Sequence, residues 1–170
     1  KDILGIGLCT IRCCRAYLKE DGTLAQPALS WMDIRVSQPY EHVNPDVKYI
    51  VASSGYITHR LTGERKDTVA NYEYGWPVDV DQWKWSDDPE AYKATGMPRE
   101  MLFDLVMPGD VLGYVTEEAA KATGLPQGVP VVATSNDKAV EGLGTGCMGD
   151  KTACISLGTY TTAMMEEKRI

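Results

Sequence analysis

The stretch VVATSNDKAVEGLGTG, residues Val131–Gly146, decides the fold class of this chain. Its apolar strand formers end abruptly at Asn136 and Asp137, and a short segment with three glycines follows. A polar turn between a strand and a helix lies at the carboxyl end of the strand, where open α/β sheets place their ligand sites. An ionised carboxylate at the tip of a buried strand is costly unless it has partners or a chemical task. The stretch therefore predicts a strand, a turn and a helix, with Asp137 at a candidate site.

Spacing alone leaves two roles open for Asp137. A carboxylate at the strand tip can accept a proton from a hydroxyl group or position magnesium. Alternatively, Asn136 or Asp137 serves only as the N-cap of the helix that begins in KAVEGL.

A second turn in the sequence favours the chemical role of Asp137. The segment SLGTY, residues Ser156–Tyr160, ends another apolar strand about twenty residues later. Its turn at Gly158 and Thr159 exposes backbone N–H groups and a hydroxyl, which together can hold a phosphate. Phosphoryl transfer needs a base for the incoming hydroxyl, donors for the γ-phosphate, and a metal. The two turns together therefore fit phosphoryl transfer better than either does alone.

The remainder of the chain mixes strands with helices that feed strands, which predicts an α/β protein. Residue patterns and turn signals predict the following further elements. In the first part of the chain they are a strand over Ile3–Leu8, a hairpin turn at Asp21-Gly22 and a strand end over Trp31–Arg35. Two helices follow: one over Asp46–Leu61 that Gly63 ends, and one that Thr116 caps and Gly124 ends. The last element is a strand–turn–strand over residues 151–165.

Composition limits the partners of this chain. Its 170 residues carry a formal net charge of −7, with 44% hydrophobic residues, which suffices for one domain or for one domain and the start of a second. The absence of a Lys/Arg-rich run argues against nucleic acid or an anionic membrane surface as a partner. No apolar stretch approaches the ~20 residues that span a bilayer.

Five cysteines, an odd number, and no secretory leader predict reduced thiols and a cytoplasmic location. The adjacent Cys13 and Cys14 are expected to fill a strand as small apolar residues. With two histidines and no Cys-x-x-Cys motif, a zinc site is not predicted. Trp76, Trp83 and Trp85 form an aromatic-rich stretch that either stacks on a sugar or, as is more common, fills a core or an interface.

In order along the chain, several segments resemble the FGGY carbohydrate kinases, which include glycerol, xylulose and gluconate kinases. These segments are GIGL, YLKEDGT, PALSWMDIR, YITHRLTGE, TGLPQGVPVVATSND and ISLGTY. The most specific are LTGE, TGLPQGVPVVATSND and SLGT. The resemblance covers nearly the whole chain.

The resemblance implies two actin-like, ribonuclease-H-like domains that enclose a deep cleft. Residues 1–150 would be a partial N-terminal domain on the sugar-binding side, and residues 151–170 would begin the C-terminal ATP-binding domain. The family transfers the γ-phosphate of ATP, with Mg²⁺, to a hydroxyl of a sugar or polyol. A homodimer is left open.

Matching positions carry the family's functional residues onto this chain. Asp137 corresponds to the general base that also contacts the acceptor hydroxyl, and Gly158 and Thr159 correspond to the second phosphate motif. Arg12 corresponds to an acceptor-binding arginine, and Trp31 to a tryptophan that lies against the substrate carbons. Glycerol kinases have a glutamate beside that arginine. Cys13 in its place argues against glycerol as the acceptor, and no metal-binding residue is predicted.

The chain also departs from the family pattern. It lacks the first Asp-x-Gly-Thr-type phosphate motif, tens of residues between Arg35 and Tyr49, and most of the second domain with the adenine site. Incomplete ATP and sugar sites and exposed apolar surface are therefore expected. The alternative function is a non-catalytic remnant or assembly module of the kinase fold. A third is an actin-like ATPase without a sugar acceptor.

Overall fold

The computed structural model describes residues 2–158 and 160–166, a mixed α/β arrangement. Its strands are β1 (Ile6–Thr10), β2 (Ala16–Leu18), β3 (Tyr49–Val51), β4 (Lys66–Thr68), β5 (Val78–Asp79), β6 (Lys84–Trp85), β7 (Asp104–Val106), β8 (Val111–Tyr114), β9 (Pro130–Asn136), β10 (Ala153–Leu157) and β11 (Thr161–Met165). Its helices are α1 (Ser53–Thr62), α2 (Pro89–Thr95), α3 (Glu117–Thr123) and α4 (Asp137–Gly144), and short 3-10 turns cover Ile34–Ser37, Val69–Asn71 and Arg99–Met101.

The central sheet has the strand order β1-β9-β8. β1 runs parallel to β9, and Thr10 at its end pairs with Asn136 at the end of β9. β8 runs antiparallel on the other side of β9. Because β1 and β9 are parallel, the segments that follow them leave the sheet at the same edge. The strand, turn and helix predicted from residues 131–146 are confirmed, and they form this edge.

The predicted helix over Asp46–Leu61 is wrong in its first half. Tyr49–Val51 forms β3, which pairs antiparallel with β2, and Ile50 and Val51 are fully buried. Since β-branched residues suit a buried strand, the long-range pairing with β2 prevails over the helical spacing. Ser53 therefore begins α1, and Gly63 ends it in the left-handed conformation (φ 76°), as predicted.

The turn predicted at Asp21-Gly22 is confirmed. The Lys19 N–H donates to the Thr23 carbonyl at 2.8 Å, and Gly22 has φ 77°. The positive φ of Gly22 favours glycine here, and a Cβ would stand 2.0 Å from a His59 ring nitrogen, so the ring would have to move.

Of the remaining predicted elements, some are confirmed and others are wrong. The cap at Thr116, the stop at Gly124 and the β10–β11 hairpin are confirmed. The strand predicted over Ile3–Leu8 begins later, at Ile6. The strand end predicted over Trp31–Arg35 is wrong, because Asp33 instead accepts the Arg35 N–H and caps a 3-10 turn.

The aromatic stretch forms a core. Trp76 and Trp85 are buried, each meets the Tyr72 ring edge-on, and the Trp85 indole donates to the Phe103 carbonyl at 2.8 Å. Trp83 is exposed. The core interpretation is confirmed for the two buried tryptophans.

The β10–β11 hairpin carries exposed apolar side chains, as expected for this chain. Ile155, Leu157 and Met165 are among its exposed residues. Among the described residues, no helix combines the length and the hydropathy that crossing a membrane requires.

A buried polar network joins α1 to β4. The Asp67 carboxylate is fully buried and accepts hydrogen bonds from the Ser54 hydroxyl at 2.7 Å, the Tyr72 hydroxyl at 2.8 Å and the Thr68 N–H at 2.7 Å. Gly55 leaves room for this carboxylate, since a Cβ there would stand 2.9 Å from Asp67 Oδ2. Burial raises the pKa of Asp67 to about 7, although the three donors favour its charged form.

The free energy of unfolding is therefore predicted to fall as pH rises from 3.8, the ordinary pKa of Asp67, to about 7. In this window the unfolded chain has released the Asp67 proton and the folded chain still holds it, so raising the pH favours unfolding. Asp67→Asn should make this fall in the free energy of unfolding smaller by about 2–4 kcal/mol. Urea unfolding at a series of pH values measures the free energy of unfolding for both proteins.

Asp46→Asn is the matched control, because it makes the same substitution at an exposed position outside this buried network. An Asp67→Asn profile that is parallel to the wild-type profile would contradict the assignment.

Candidate active site

A cavity of about 360 Å³ opens where β1 and β9 end, beside the β10–β11 turn. It is lined by Ile11, Arg12, Cys13, Trp31, Asp137, Lys138, Gly158, Tyr160 and Thr162. Four residues predicted for the site, Arg12, Trp31, Asp137 and Gly158, thus come together from distant parts of the sequence. The fifth, Thr159, lies outside the described residues.

Asn136 fixes the start of α4. Its side chain is buried, and its Oδ1 accepts the Ala139 N–H at 3.1 Å, which makes it the N-cap. Its Nδ2 donates to the Ala70 carbonyl at 3.0 Å. One amide therefore caps the helix and fastens the end of β9 to the turn at Val69–Asn71.

Asp137 is the first helical residue and does not cap α4. Of the two residues that could cap this helix, Asn136 is therefore the N-cap. Asp137 Oδ1 is buried and has no hydrogen-bond partner in the described part of the protein. Because buried carboxylate oxygens are normally satisfied, this unpaired oxygen on a residue that lines the cavity marks Asp137 as a functional candidate.

Arg12 is oriented by a residue that sequence reasoning missed. Its guanidinium donates to Glu73 Oε2 at 3.0 Å, and both side chains are partly exposed. Glu73 does not line the cavity, so it holds the arginine from the side while Arg12 faces the cavity. The two residues are 61 positions apart, and no local pattern connects them.

Cys13 forms the wall between Arg12 and the next strand. The expectation that Cys13 and Cys14 fill a strand is wrong, because both lie in the turn after β1 and Cys13 has φ 65°. Burial raises the pKa of the Cys13 thiol, and the Glu73 and Asp137 carboxylates add to this rise against the lowering effect of Arg12. All five cysteines are free.

Two aromatic rings, Trp31 and Tyr160, line the cavity. Trp31 meets Tyr160 in an edge-to-face contact with 5.2 Å between ring centroids. This contact joins the segment after the β2 turn to the β10–β11 turn, and it gives the cavity an apolar wall.

Lys138 is a second missed residue of the cavity. Its Nζ donates to Glu141 Oε2 at 2.8 Å and to Ser156 Oγ at 3.0 Å, so it ties α4 to the strand that leads to Gly158. The hydrogen bond with Glu141 raises the pKa of Lys138 and lowers the pKa of Glu141. The available signal was its position directly after Asp137 in the quoted stretch.

Within the described ranges, no group of three or more His, Cys, Asp or Glu side chains is placed to hold a metal ion. Mg²⁺ in phosphoryl-transfer sites is usually bound by one or two carboxylates together with substrate phosphates and waters. This cavity therefore holds no pre-assembled metal centre, and none of its residues is assigned to a metal.

Comparison with known proteins gives a consistent result. Residues 27–144 match the family model described as the FGGY family of carbohydrate kinases, N-terminal domain. The chain is 58% identical over its 170 residues to the uncharacterized sugar kinase YgcE of Escherichia coli (strain K12), of which it covers 35%. It is 31% identical over 117 residues to the L-fuculokinase of the same strain, which is 69% of this chain and 24% of that protein. The chain thus spans about a third or less of the length of these relatives.

Solved structures share the fold. The xylulose kinase of Rhodospirillum rubrum superposes with a TM-score of 0.80 at 20% identity, over 93% of this chain and 40% of that one. The Plasmodium falciparum glycerol kinase with ADP gives a TM-score of 0.80 at 16% identity, over 95% of this chain and 40% of that one. The expected fold is confirmed: the chain forms part of the actin-like, ribonuclease-H-like α/β fold of two-domain sugar kinases.

Removing the Asn136 side chain is predicted to destabilise the protein more than removing an ordinary helix cap. Asn136→Ala loses the cap, which costs about 1 kcal/mol, and leaves the Ala70 carbonyl without its donor, which costs about 1–3 kcal/mol more. Thr116→Ala is the matched control, because Thr116 caps α3 with one hydrogen bond, to the Ala119 N–H at 3.2 Å. Urea unfolding compares the two variants, and equal losses of stability would show that the bond to Ala70 contributes nothing.

Proposed function

This chain belongs to the FGGY family of carbohydrate kinases, and from that membership we propose that its cavity is the acceptor site for ATP-dependent phosphorylation of a sugar or polyol hydroxyl. The observation that carries the proposal is the meeting of Arg12, Trp31, Asp137 and Gly158 at one cavity. They come from four separate stretches of sequence. Their convergence is what a kinase acceptor site requires, and a packed core would not need it.

Asp137 acts as the general base in this proposal. The carboxylate of Asp137, which lines the cavity, accepts the proton of the acceptor hydroxyl as the hydroxyl oxygen attacks the γ-phosphorus of ATP. The new bond joins the acceptor oxygen to that phosphorus, and the bond to the β-phosphate oxygen breaks, so that ADP leaves. The Asn136 cap fixes the start of α4, and with it the position of the carboxylate.

The phosphate side of the cavity is proposed to lie at Gly158 and Thr159. Backbone N–H groups in a tight turn can bind phosphate oxygens. Lys138, which is paired with Glu141, also lies on this side, because its hydrogen bond to Ser156 holds it near the strand that leads into the turn. Mg²⁺, which phosphoryl transfer by ATP normally requires, would neutralise charge on the phosphates.

The acceptor side is proposed to lie at Arg12 and Trp31. Arg12 is held by Glu73 and can donate to acceptor hydroxyls, and the Trp31 ring gives the carbon skeleton an apolar surface. Relatives named L-fuculokinase and xylulose kinase support a sugar as the acceptor. Cys13 offers no carboxylate to bind hydroxyl groups, which disfavours glycerol.

The division of the chain is part of the proposal. Residues 1–150 are assigned to the N-terminal domain on the sugar-binding side, and residues 151–170 to the beginning of the ATP-binding domain. The family match over residues 27–144 supports the first assignment. A cytoplasmic location is proposed because ATP-dependent sugar phosphorylation and free thiols both fit a reducing compartment.

Asp137→Asn in the complete protein that contains this chain is predicted to lower kcat/KM about 10²–10⁴-fold, because a positioned general base contributes that much. The measurement is ADP release with Mg²⁺-ATP and a panel of pentoses, hexoses and polyols. Asp150→Asn, an exposed carboxylate near the hairpin, should keep wild-type activity.

Activity of Asp137→Asn within about tenfold of wild type would contradict its role as the base. Wild-type protein that binds no Mg²⁺-ATP, even with sugars present, would favour the non-catalytic module instead. ADP release that no sugar changes would favour an ATPase.

A further inference from the structure

A second cavity has a volume of about 460 Å³. Its lining includes Arg15, Tyr17, Leu29, Gln38, Tyr40 and Glu41. None of these residues lines the candidate active site. The volume is within the range of small-molecule binding sites.

Arg15 gives this cavity a buried positive charge. Its side chain is only 3% exposed, and its guanidinium donates to the Val36 carbonyl at 2.9 Å and the Gln38 carbonyl at 3.3 Å. Its Nε has no hydrogen-bond acceptor, and in the described part of the chain Arg15 takes part in no ion pair. A buried charge without a counter-ion is costly, so the site favours an anion.

The other charges around the cavity do not compensate Arg15. Arg35 is paired with Asp33 at 2.6 Å, so this pair adds no net charge. Burial raises the pKa of Tyr40 to about 12, which keeps its phenol neutral. Glu41 is the one carboxylate among the lining residues, and it is exposed to solvent.

The uncharged part of the wall suits an organic group. The rings of Tyr17 and Tyr40 stack with 5.6 Å between centroids, and Leu29 and Val43 add apolar surface. Amide groups of Gln26, Gln38 and Asn44 supply polar contacts. The wall thus combines one buried cation with rings, aliphatic side chains and amides.

We infer that this cavity binds a small monocarboxylate with a flat or apolar body. Its carboxylate would lie on the Arg15 side and its body against Tyr17, Tyr40 and Leu29. One uncompensated positive charge matches one negative charge, which favours a carboxylate over a phosphate dianion. This inference does not rest on the proposed kinase activity.

The test is an NMR titration of the ¹⁵N-labelled 170-residue chain with sodium benzoate, its neutral isostere benzamide, and inorganic phosphate. Benzoate should shift amide signals of residues 15–17 and 36–44, and benzamide should bind at least about tenfold more weakly, because a hydrogen bond to a charged group is lost. Phosphate should also bind more weakly than benzoate. No shift in these residues, equal binding of benzamide, or stronger binding of phosphate would each overturn the inference. This comparison needs no variant.

Arg15→Met provides a second test, because it replaces the buried cation with an apolar side chain of similar length. Benzoate affinity should fall at least about tenfold. Arg65→Met is the matched control, since Arg65 lies outside both cavities and pairs with Glu20, and it should leave the affinity unchanged. An Arg15→Met variant that binds benzoate like the wild type would contradict the inference.

Discussion

The buried amide of Asn136 is the interaction on which the candidate site depends. It accepts the N–H of Ala139 at the start of α4 and donates to the Ala70 carbonyl in the turn that follows β4. The end of the central strand is thereby fixed to two elements at once. Because Asn136 is the N-cap, the next residue, Asp137, is not needed to cap the helix. Asp137 lines the cavity, and its buried Oδ1 has no hydrogen-bond partner among the described residues. A carboxylate in that condition is maintained at a cost, which is typical of a functional group.

The parallel pairing of β1 with β9 supplies the second requirement. It brings the turn after β1, which carries Arg12 and Cys13, to the sheet edge where Asp137 begins α4. The same turn continues to Arg15, which faces a different cavity. The four residues from Arg12 to Arg15 therefore border two cavities, and Cys13 between the two arginines has the left-handed conformation. The two arginines have different partners: Arg12 pairs with the Glu73 carboxylate, whereas Arg15 donates to two carbonyl oxygens and lies over the Trp76 ring.

Local signals in the sequence predict local structure well. The strand and helix around Asp137, the cap at Thr116 and the turn at Asp21-Gly22 each depend on neighbouring residues, and each is confirmed. The prediction of a helix over Asp46–Leu61 is wrong in its first half, because β3 is determined by pairing with β2, some thirty residues away.

The residues of the candidate site also differ in how far the sequence predicts them. Residue chemistry alone leads to Asp137 and to the turn at Gly158, whereas Arg12 and Trp31 follow only from the family resemblance. Glu73 reaches Arg12 across 61 positions, and no sequence pattern predicts such a contact.

The four tryptophans allow the proposed acceptor site to be tested directly, because they occupy distinct environments. Trp31 lies at the cavity, Trp76 and Trp85 lie in the core, and Trp83 is exposed. The decisive measurement is the ¹H–¹⁵N indole spectrum during titration with pentoses, hexoses and their polyols. The account predicts that a bound acceptor shifts the Trp31 signal and leaves the other three in place. Binding that shifts another tryptophan while Trp31 stays fixed would contradict it.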